Sequence, residues 1–202
     1  PEGHCKPFDD SADGYGRSEG AGVIIIKRLE DAERDNDKIF GVIRAAAINQ
    51  DGKSNGLTAP SGAAQEKVIR KALKEAGIDA DMVSYVETHG TGTKLGDPIE
   101  AGALTNIYGK ARRNKSPLLI GSAKSNIGHT EAGSGMASMI KVLMSMDHDE
   151  IPGNLNFNTP NTFIDWKNNN LKVVAKNTKW KPDGCHRYAG ISGFGFGGSN
   201  AH

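Results

Sequence analysis

The sequence is poor in cysteine and contains no long apolar run, and both absences restrict the classes of protein to which it can belong. Its two cysteines, Cys5 and Cys185, are too few for a disulfide framework in a chain of 202 residues, so we expect a reducing compartment, the cytoplasm. The longest apolar runs hold only a handful of residues, far too few to span a membrane. The sequence therefore predicts neither a disulfide-rich secreted protein nor a membrane protein.

The sequence also lacks an excess of either charge. Its 25 Lys and Arg residues and 24 Asp and Glu residues leave a formal net charge of +1, so nothing in the balance favours nucleic acid or an anionic membrane as a partner. The N-terminus has neither an initiator methionine nor the apolar core of a signal peptide, and we expect the chain to start within a longer protein. We also expect a further strand beyond residues 200–202.

What the sequence does contain is glycine, 26 residues of it, with short apolar runs between the glycine-rich turns. The β-branched run at 22–27 is typical of a strand that is buried on both faces. Similar runs predict further strands at 39–48, 83–87, 118–122, 171–175 and 188–192.

Helical spacing of apolar residues appears in three segments between these strands. Ser61 is predicted to cap the first helix and Gly77 to end it. In the second helix, Asp97 is predicted as the N-cap, with Pro98 at the first position and Glu100 completing a capping box.

The third predicted helix runs from about residue 131 to residue 146, after a loop at 124–129. Its apolar face is predicted at Met136, Met139, Ile140, Leu143 and Met144. The residues at 132–135 are unusually small, and because glycine costs helix stability we expect another backbone to approach there. The alternation of strands and helices, followed by paired strands, predicts one α/β layered domain over residues 1–202 with a mixed sheet.

Two histidines follow predicted strands directly, in glycine-rich turns. The two turns are Glu87-Thr88-His89-Gly90-Thr91-Gly92-Thr93 and Lys124-Ser125-Asn126-Ile127-Gly128-His129-Thr130-Glu131, and such turns are where catalytic groups of α/β proteins collect. A single histidine would be read as a buried structural residue. The helix start after His129 disfavours an imidazolium, so this ring is expected to stay neutral and to donate a hydrogen bond. Two such rings on one oxygen could stabilise an enolate or oxyanion.

A metal site is the other interpretation of His89 and His129, but no nearby Asp, Glu or Cys completes a ligand set at the usual spacing. No metal is therefore expected. Lys124 is either a solvated surface charge or, if it is buried beside His129, the holder of a carboxylate or water network that orients the imidazole. Thr91 and Thr93 either close their turn through local hydrogen bonds or bind the amide groups of a ligand.

The third glycine-rich turn, at 193–200, formally matches the dinucleotide pattern G-x-G-x-x-G. It does not open a helix within a βαβ unit, so this function is rejected. Phe194 and Phe196, interleaved with glycines, instead indicate a mobile apolar wall with a backbone N–H that can point at an oxyanion. Neither Cys5 nor Cys185 follows a strand or opens a helix, so neither is expected to be a nucleophile.

Taken in order along the whole chain, these motifs resemble the C-terminal half of the β-ketoacyl synthase (ketosynthase) domain of type I polyketide synthases, with animal-type fatty acid synthases next. The resemblance is carried by the segments 5–9, 13–20, 49–52, 56–60, 87–93, 95–101, 122–129 and 193–198. It implies a thiolase-like layered α-β-α fold, present here as an incomplete and mostly C-terminal portion.

The resemblance also implies an activity and partners. A homodimer would carry out decarboxylative Claisen condensation on acyl groups delivered by acyl carrier protein, with an acyltransferase domain in cis or in trans. His89 and His129 would bind the thioester carbonyl of the extender unit and stabilise its enolate, and Lys124 would support His129. No cofactor would bind directly, since the phosphopantetheine belongs to the carrier protein.

The resemblance assigns the remaining site residues to substrate binding. Thr91 and Thr93 would contact the phosphopantetheine arm. The turn with Phe194 and Phe196 would gate the pocket and help to form the oxyanion hole.

The chain departs from the family in one respect, since the Ala-Cys-Ser-Ser segment that carries the family's nucleophile does not occur in it. Cys5 falls on a family position that is not the nucleophile, so this chain alone is expected not to catalyse condensation. Two alternatives stay open: a nucleophile-free relative that decarboxylates or sets chain length, and a non-catalytic module that docks carrier protein. A thiolase is less consistent, because no cysteine follows the 193–200 turn.

Overall fold

The computed structural model describes residues 2–52, 60–112, 116–182 and 186–202, in which helices and strands alternate in the first part and strands alone follow in the last. The helices are α1 (Leu29–Arg34), α2 (Gly62–Ala76), α3 (Gly96–Leu104), α4 (Lys124–Ile127) and α5 (Ser134–Asp147). The strands are β1 (Ile48–Gln50), β2 (Val83–Glu87), β3 (Leu118–Gly121), β4 (Glu150–Ile151), β5 (Leu171–Val173), β6 (Thr178–Lys179), β7 (Tyr188–Ile191), β8 (Gly193–Phe194) and β9 (Ser199–Ala201). Cys185 and most of the motif at 56–60 lie outside the described residues. Within those residues, no helix has both the length and the apolar character needed to cross a membrane.

A four-stranded parallel sheet in the order β5-β3-β2-β7 forms the centre of the structure. The strands β1, β9 and β8 form a second, antiparallel sheet, and β4 pairs with β6. Parallel and antiparallel pairings are therefore both present, in separate sheets.

Apolar residues cover both faces of the parallel sheet, which gives the α-β-α layers. One face packs against α2 and α3 through a cluster that includes Val68, Leu104, Val86 and Ile120. The other face packs against α5, where Val142 joins Tyr85, Val174 and Trp180. Since parallel sheets are stable only when both faces are covered, these two cores fix the layered architecture.

The first predicted helix ends where the sequence indicates. The Ser61 hydroxyl accepts the Ala64 backbone N–H at 3.2 Å, and Gly77 ends α2 with a φ of +64°. The small residues at the start of the third helix also have the expected reason. A Cβ on Gly133 would stand 2.6 Å from the Gly20 carbonyl oxygen, so only glycine allows the two backbones to approach.

Two predicted strands are wrong. The run at 22–27 forms no strand, and most of its side chains are exposed, with Val23 at 89% and Ile25 at 96% of full exposure. The run at 39–48 forms a strand only at its end, in β1. A strand requires a partner for its backbone N–H and C=O groups. The described residues provide none along 22–27, and in the run at 39–48 only Ala47 and Ile48 are paired, with the chain at 201–202. Residues 22–27 and 39–46 therefore stay out of any sheet despite their β propensity.

Three further details of the sequence prediction also need correction. The start of α3 is not capped by Asp97 and Glu100, because the N-cap residue is Leu95, whose side chain makes no capping hydrogen bond. The predicted loop at 124–129 begins with the helical turn α4. On α5 the buried residues are Ser138, Val142 and Ser145, whereas Ile140 and Met144 of the predicted face stay exposed. Part of that face contacts the chain near Gly22 and Gly41 rather than the sheet.

We predict that Gly109→Ala destabilises the protein and that Gly102→Ala does not. A Cβ on Gly109 would overlap the backbone carbonyl of Asn169, which cannot rotate away. Overpacking of this kind costs about 1–3 kcal/mol. A Cβ on Gly102, on the exposed side of α3, would contact nothing within 4 Å, so its replacement should leave stability unchanged or raise it by up to about 1 kcal/mol. Urea unfolding of the intact protein measures both, and equal midpoints for the two variants would contradict the prediction.

Candidate active site

The carboxyl ends of β2, β3 and β7 lie side by side, and each strand leads into one of the three glycine-rich turns. In the pairing register, Glu87 of β2 lies opposite Gly121 of β3 and Ile191 of β7. His89 follows β2, α4 follows β3 and Phe194 follows β7. The three turns therefore meet at one edge of the sheet, which is where α/β proteins bind ligands.

His89 is held by two contacts with neighbouring turns. Its Nδ1 atom accepts the Phe194 backbone N–H at 3.3 Å, so in the neutral ring the proton is on Nε2. Its own backbone N–H donates to Glu100 Oε1 at 2.8 Å. Burial lowers the pKa of His89 well below its ordinary value, with smaller contributions from the Lys124 ammonium and His129. The ring is therefore neutral, with its Nε2–H free to donate.

His129 has the same hydrogen-bond pattern. Its Nδ1 atom accepts the Glu131 backbone N–H at 3.0 Å, which again leaves the proton on Nε2. Burial, and then the Lys124 charge, lower the pKa of this ring as well, while Glu131 opposes them. The two ring centroids lie 5.4 Å apart with the ring planes at 81°. Rings this close bring two neutral N–H donors into the same part of the site.

Lys124 is the first residue of α4 and is only 3% exposed, so it is not a solvated surface lysine. Burial lowers the pKa of its ammonium, and four groups raise it: Glu87, Glu100, Cys5 and Asp97. A lysine surrounded in this way supplies positive charge to the site while carboxylates offset part of its desolvation.

The segment at 14–18 joins the first two turns. The Gly14 backbone N–H donates to the Gly92 carbonyl at 3.0 Å, and the His129 backbone N–H donates to the Gly16 carbonyl at 2.8 Å. Gly92 has a φ of +78°, and a Cβ there would stand 2.7 Å from the Lys6 backbone nitrogen.

The Tyr15 ring packs against the His129 ring with a centroid separation of 4.9 Å. The sequence placed Tyr15 in a family motif but gave it no role in the site, because its contact with His129 is tertiary.

The carboxylates of Asp97 and Glu100 hold the turn after β2 in place by accepting its backbone N–H groups. Asp97 accepts the backbone N–H groups of Phe8 and Gly92, at 2.7 and 3.1 Å. Glu100 accepts those of His89 and Gly90, at 2.8 and 2.9 Å. Burial raises the pKa of Asp97 to about 6 and that of Glu100 to about 7, although these hydrogen bonds oppose the shift. The sequence pattern predicted both carboxylates at a helix cap and not as acceptors for the backbone of the His89 turn. Their position directly after that turn was the only sequence signal for this second role.

Thr91 and Thr93 lie in the same turn and bond to one another. The Thr91 hydroxyl donates to Thr93 Oγ1 at 3.3 Å, and Thr93 Oγ1 also accepts the Gly96 backbone N–H at 3.1 Å. Turn closure, one of the two interpretations of these residues, is thus realised. Thr93 Oγ1 is the acceptor in both bonds, so its hydroxyl proton is not used in them and suits donation to the amide carbonyl of an extended ligand.

The third turn contributes Phe194 but not Phe196. The Phe194 ring lies 5.7 Å from the His89 ring, and its backbone N–H orients that imidazole. Phe196 is 70% exposed at the tip of the turn. The glycine-rich pattern alone could not distinguish the two phenylalanines.

The thiol of Cys5 lies close to the site but is not activated. Its side chain is 2% exposed, its Sγ atom contacts the Gly16 carbonyl at 3.7 Å, and burial raises the pKa of the thiol despite the Lys124 charge. Within the ranges that the structure describes, no group of three or more His, Cys, Asp and Glu side chains is arranged to hold a metal ion.

Comparison with protein families gives three matches that follow one another along the chain. Residues 1–32 match the N-terminal domain of β-ketoacyl synthases, residues 40–158 the C-terminal domain, and residues 160–202 the ketoacyl-synthetase C-terminal extension.

Curated relatives and solved structures agree with these matches. The chain is 53% identical over 202 residues to a phenolphthiocerol/phthiocerol polyketide synthase of Mycobacterium tuberculosis and 50% identical over 201 residues to an erythronolide synthase of Saccharopolyspora erythraea. All of the chain is covered in both, but only 11% and 6% of those proteins.

Among solved structures, the chain is similar to the ketosynthase from module 6 of the bacillaene synthase of Bacillus subtilis, with 46% identity and a TM-score of 0.95. The match covers 100% of this chain and 36% of that ketosynthase. These findings establish that the chain belongs to the β-ketoacyl synthase family, where it corresponds to the C-terminal part of the ketosynthase domain of type I polyketide synthases.

Proposed function

We propose that residues 1–202 form part of a ketosynthase domain that catalyses decarboxylative Claisen condensation during polyketide chain elongation. The observation that carries the proposal is the pair of neutral imidazoles, His89 and His129, with rings 5.4 Å apart. Each Nδ1 atom accepts a backbone N–H, so each Nε2–H is available to one substrate oxygen. Preorganised donors of this kind stabilise charge that develops in the transition state.

The proposed reaction uses these donors at the thioester carbonyl of a malonyl-type extender. The bond between the extender's carboxylate carbon and its α-carbon breaks, CO₂ leaves, and the electron pair moves into an enolate whose oxygen accepts both Nε2–H groups. The enolate carbon then attacks the acyl group held on a cysteine as a thioester, the C–S bond breaks, and the thiolate is released. Lys124 adds positive charge close to both rings.

The nucleophilic cysteine is proposed to come from residues outside this chain. Cys5 is buried and has a raised thiol pKa, which argues against it. The two alternatives from the sequence, a nucleophile-free relative and a carrier-protein docking module, keep the same imidazole geometry but predict different chemistry. Measurements of decarboxylation and of acyl loading separate them.

The substrates are proposed to arrive on the phosphopantetheine arm of an acyl carrier protein. Thr93 is suited to contact the arm because its hydroxyl proton is free to donate, and Thr91 orients it. A homodimeric ketosynthase, an acyltransferase acting in cis or in trans, and a cytoplasmic location complete the proposal. Phe194, beside His89, is the proposed gate, and Phe196 would join it only after movement of the turn.

We predict that His89→Ala and His129→Ala in the complete ketosynthase each lower malonyl decarboxylation by about 100-fold or more, because loss of one oxyanion donor costs this much. Acyl loading of the cysteine should change little. Release of CO₂ from a malonyl thioester and intact mass after exposure to an acyl thioester measure the two steps.

The exposed His148, at the end of α5, provides the matched control. His148→Ala should retain parental decarboxylation and loading. Parental decarboxylation in His89→Ala would overturn the proposed role. Carrier-protein binding without any decarboxylation in the parent protein would favour the docking module, and decarboxylation without acyl loading would favour the nucleophile-free relative.

We predict that Lys124→Met moves the acidic limb of the decarboxylation pH profile to higher pH. Protonation at Nδ1 would break the backbone hydrogen bonds that orient both rings, so the rate falls as the imidazoles become charged. The Lys124 charge lowers the pKa of both rings, and its removal lets them protonate at higher pH. Burial, the larger cause, is unchanged, so the limb should stay below the ordinary histidine range. The exposed Lys110→Met is the control, and an unmoved acidic limb in Lys124→Met would contradict the prediction.

A further inference from the structure

Glu87 is a fully buried carboxylate at the point where all three turns of the site begin. It is the last residue of β2, two positions before His89. Its Oε1 atom accepts the Ala123 backbone N–H at 2.6 Å, immediately before Lys124. Its carbonyl oxygen accepts the Ser192 N–H at 2.9 Å, at the start of the third turn. One residue thus bonds to the residues that directly precede the two other turns, and it belongs to the strand that leads to His89.

The second carboxylate oxygen of Glu87 has its own partners. Oε2 accepts the Tyr85 hydroxyl at 2.5 Å and lies 2.8 Å from Lys141 Nζ of α5. The Lys141 side chain is 12% exposed, so the ion pair is almost completely removed from water. Every polar atom of the carboxylate is therefore engaged, as a buried charge requires.

A buried ion pair is a poor way to stabilise a fold. The desolvation of two charges commonly offsets their attraction, and well-packed apolar residues of similar volume are often as stable or more stable. The β2 neighbours Val83, Tyr85 and Val86 already form the two cores. Packing at this strand end therefore does not explain why residue 87 is a carboxylate. The hydrogen bonds of Glu87 to the chain beside the site turns do explain it.

We propose that Glu87 is a positioning residue of the ketosynthase reaction, which fixes the Lys124 turn relative to His89 and places a negative charge facing Lys124, with Lys141 anchoring it from α5. This inference rests on the proposed function. The tertiary contacts that carry it are the bond to Ala123 and the pair with Lys141.

The charges around Lys124 support this role. The titratable groups that interact with Lys124 are Glu87, Glu100, Cys5 and Asp97, and Lys124 acts in turn on His89 and His129. Among the groups that raise the pKa of the Lys124 ammonium, Glu87 ranks first. Loss of its charge should let Lys124 lose its proton at lower pH, while Glu100 and Asp97 remain.

The test compares Glu87→Gln, Lys141→Met and the double variant in the complete ketosynthase. Each single variant leaves one buried charge unpaired and should lose stability. The double variant removes both charges and keeps the amide oxygen as an acceptor for Ala123, so its urea unfolding midpoint should return to the parental value. We nevertheless expect its decarboxylation to stay about tenfold or more below the parent, because small misplacements of catalytic groups are costly. The alkaline limb of its pH profile, where Lys124 loses its proton, should move to lower pH, because the Glu87 charge that raises the pKa of the Lys124 ammonium is gone.

Introducing Glu87→Gln and Lys141→Met into Lys124→Met supplies the second readout. If Glu87 acts partly through the Lys124 charge, the pair of changes should lower decarboxylation less in this background than in the parent. The surface ion pair of Glu150 and Lys179 gives a control, since Glu150→Gln should leave rate, profile and midpoint unchanged.

A double variant with parental rate and pH profile would overturn the inference and make Glu87 a structural residue only. The proposed function fails in a different way, through a parent protein that does not decarboxylate malonyl thioesters at all. The two failures are therefore distinguishable in the same set of measurements.

Discussion

The parallel pairing of β2 with β3 on one side and β7 on the other is the constraint on which the site depends. It aligns three strand ends, so that turns far apart in sequence meet at one edge. The bond from the Phe194 N–H to His89 Nδ1 spans 105 positions and exists only in this register. Because a shift by one residue would reverse the faces of a strand, the two apolar cores that cover the sheet also hold the imidazoles in place.

The backbone fixes the tautomer of both histidines, while burial and the Lys124 charge lower the pKa of their rings. An N–H group aimed at each Nδ1 atom fixes the tautomer, and burial keeps the rings neutral. Lys124 adds a positive charge that opposes protonation of both rings. Buried carboxylates in turn offset the charge of Lys124. The site thus combines neutral donors with a nearby cation, an arrangement suited to developing negative charge.

Local signals in the sequence predicted β2 at 83–87 as found, the ends of α2 at Ser61 and Gly77, and the turn that brings His89 into the site. They failed where the outcome depends on distant partners. The run at 22–27 reads as a strand but finds no backbone partner among the described residues, and the run at 39–48 pairs only at its end. Asp97 and Glu100 have the spacing of a capping box, yet their burial leads them to backbone N–H groups of other turns. The role proposed for Glu87 had no local signal, because its partners Ala123 and Lys141 lie in other elements.

The buried acids show that this chain gives up stability for geometry. Burial raises the pKa of Glu100 from 4.5 to about 7, so the folded state favours its protonated form. The contribution of Glu100 to stability is complete below its ordinary pKa and is lost as the pH rises through about 7. The ionised form is nevertheless the better acceptor for the His89 and Gly90 N–H groups. An apolar residue at this position would avoid the cost of burying charge, but it would leave the His89 turn without the two bonds that hold it.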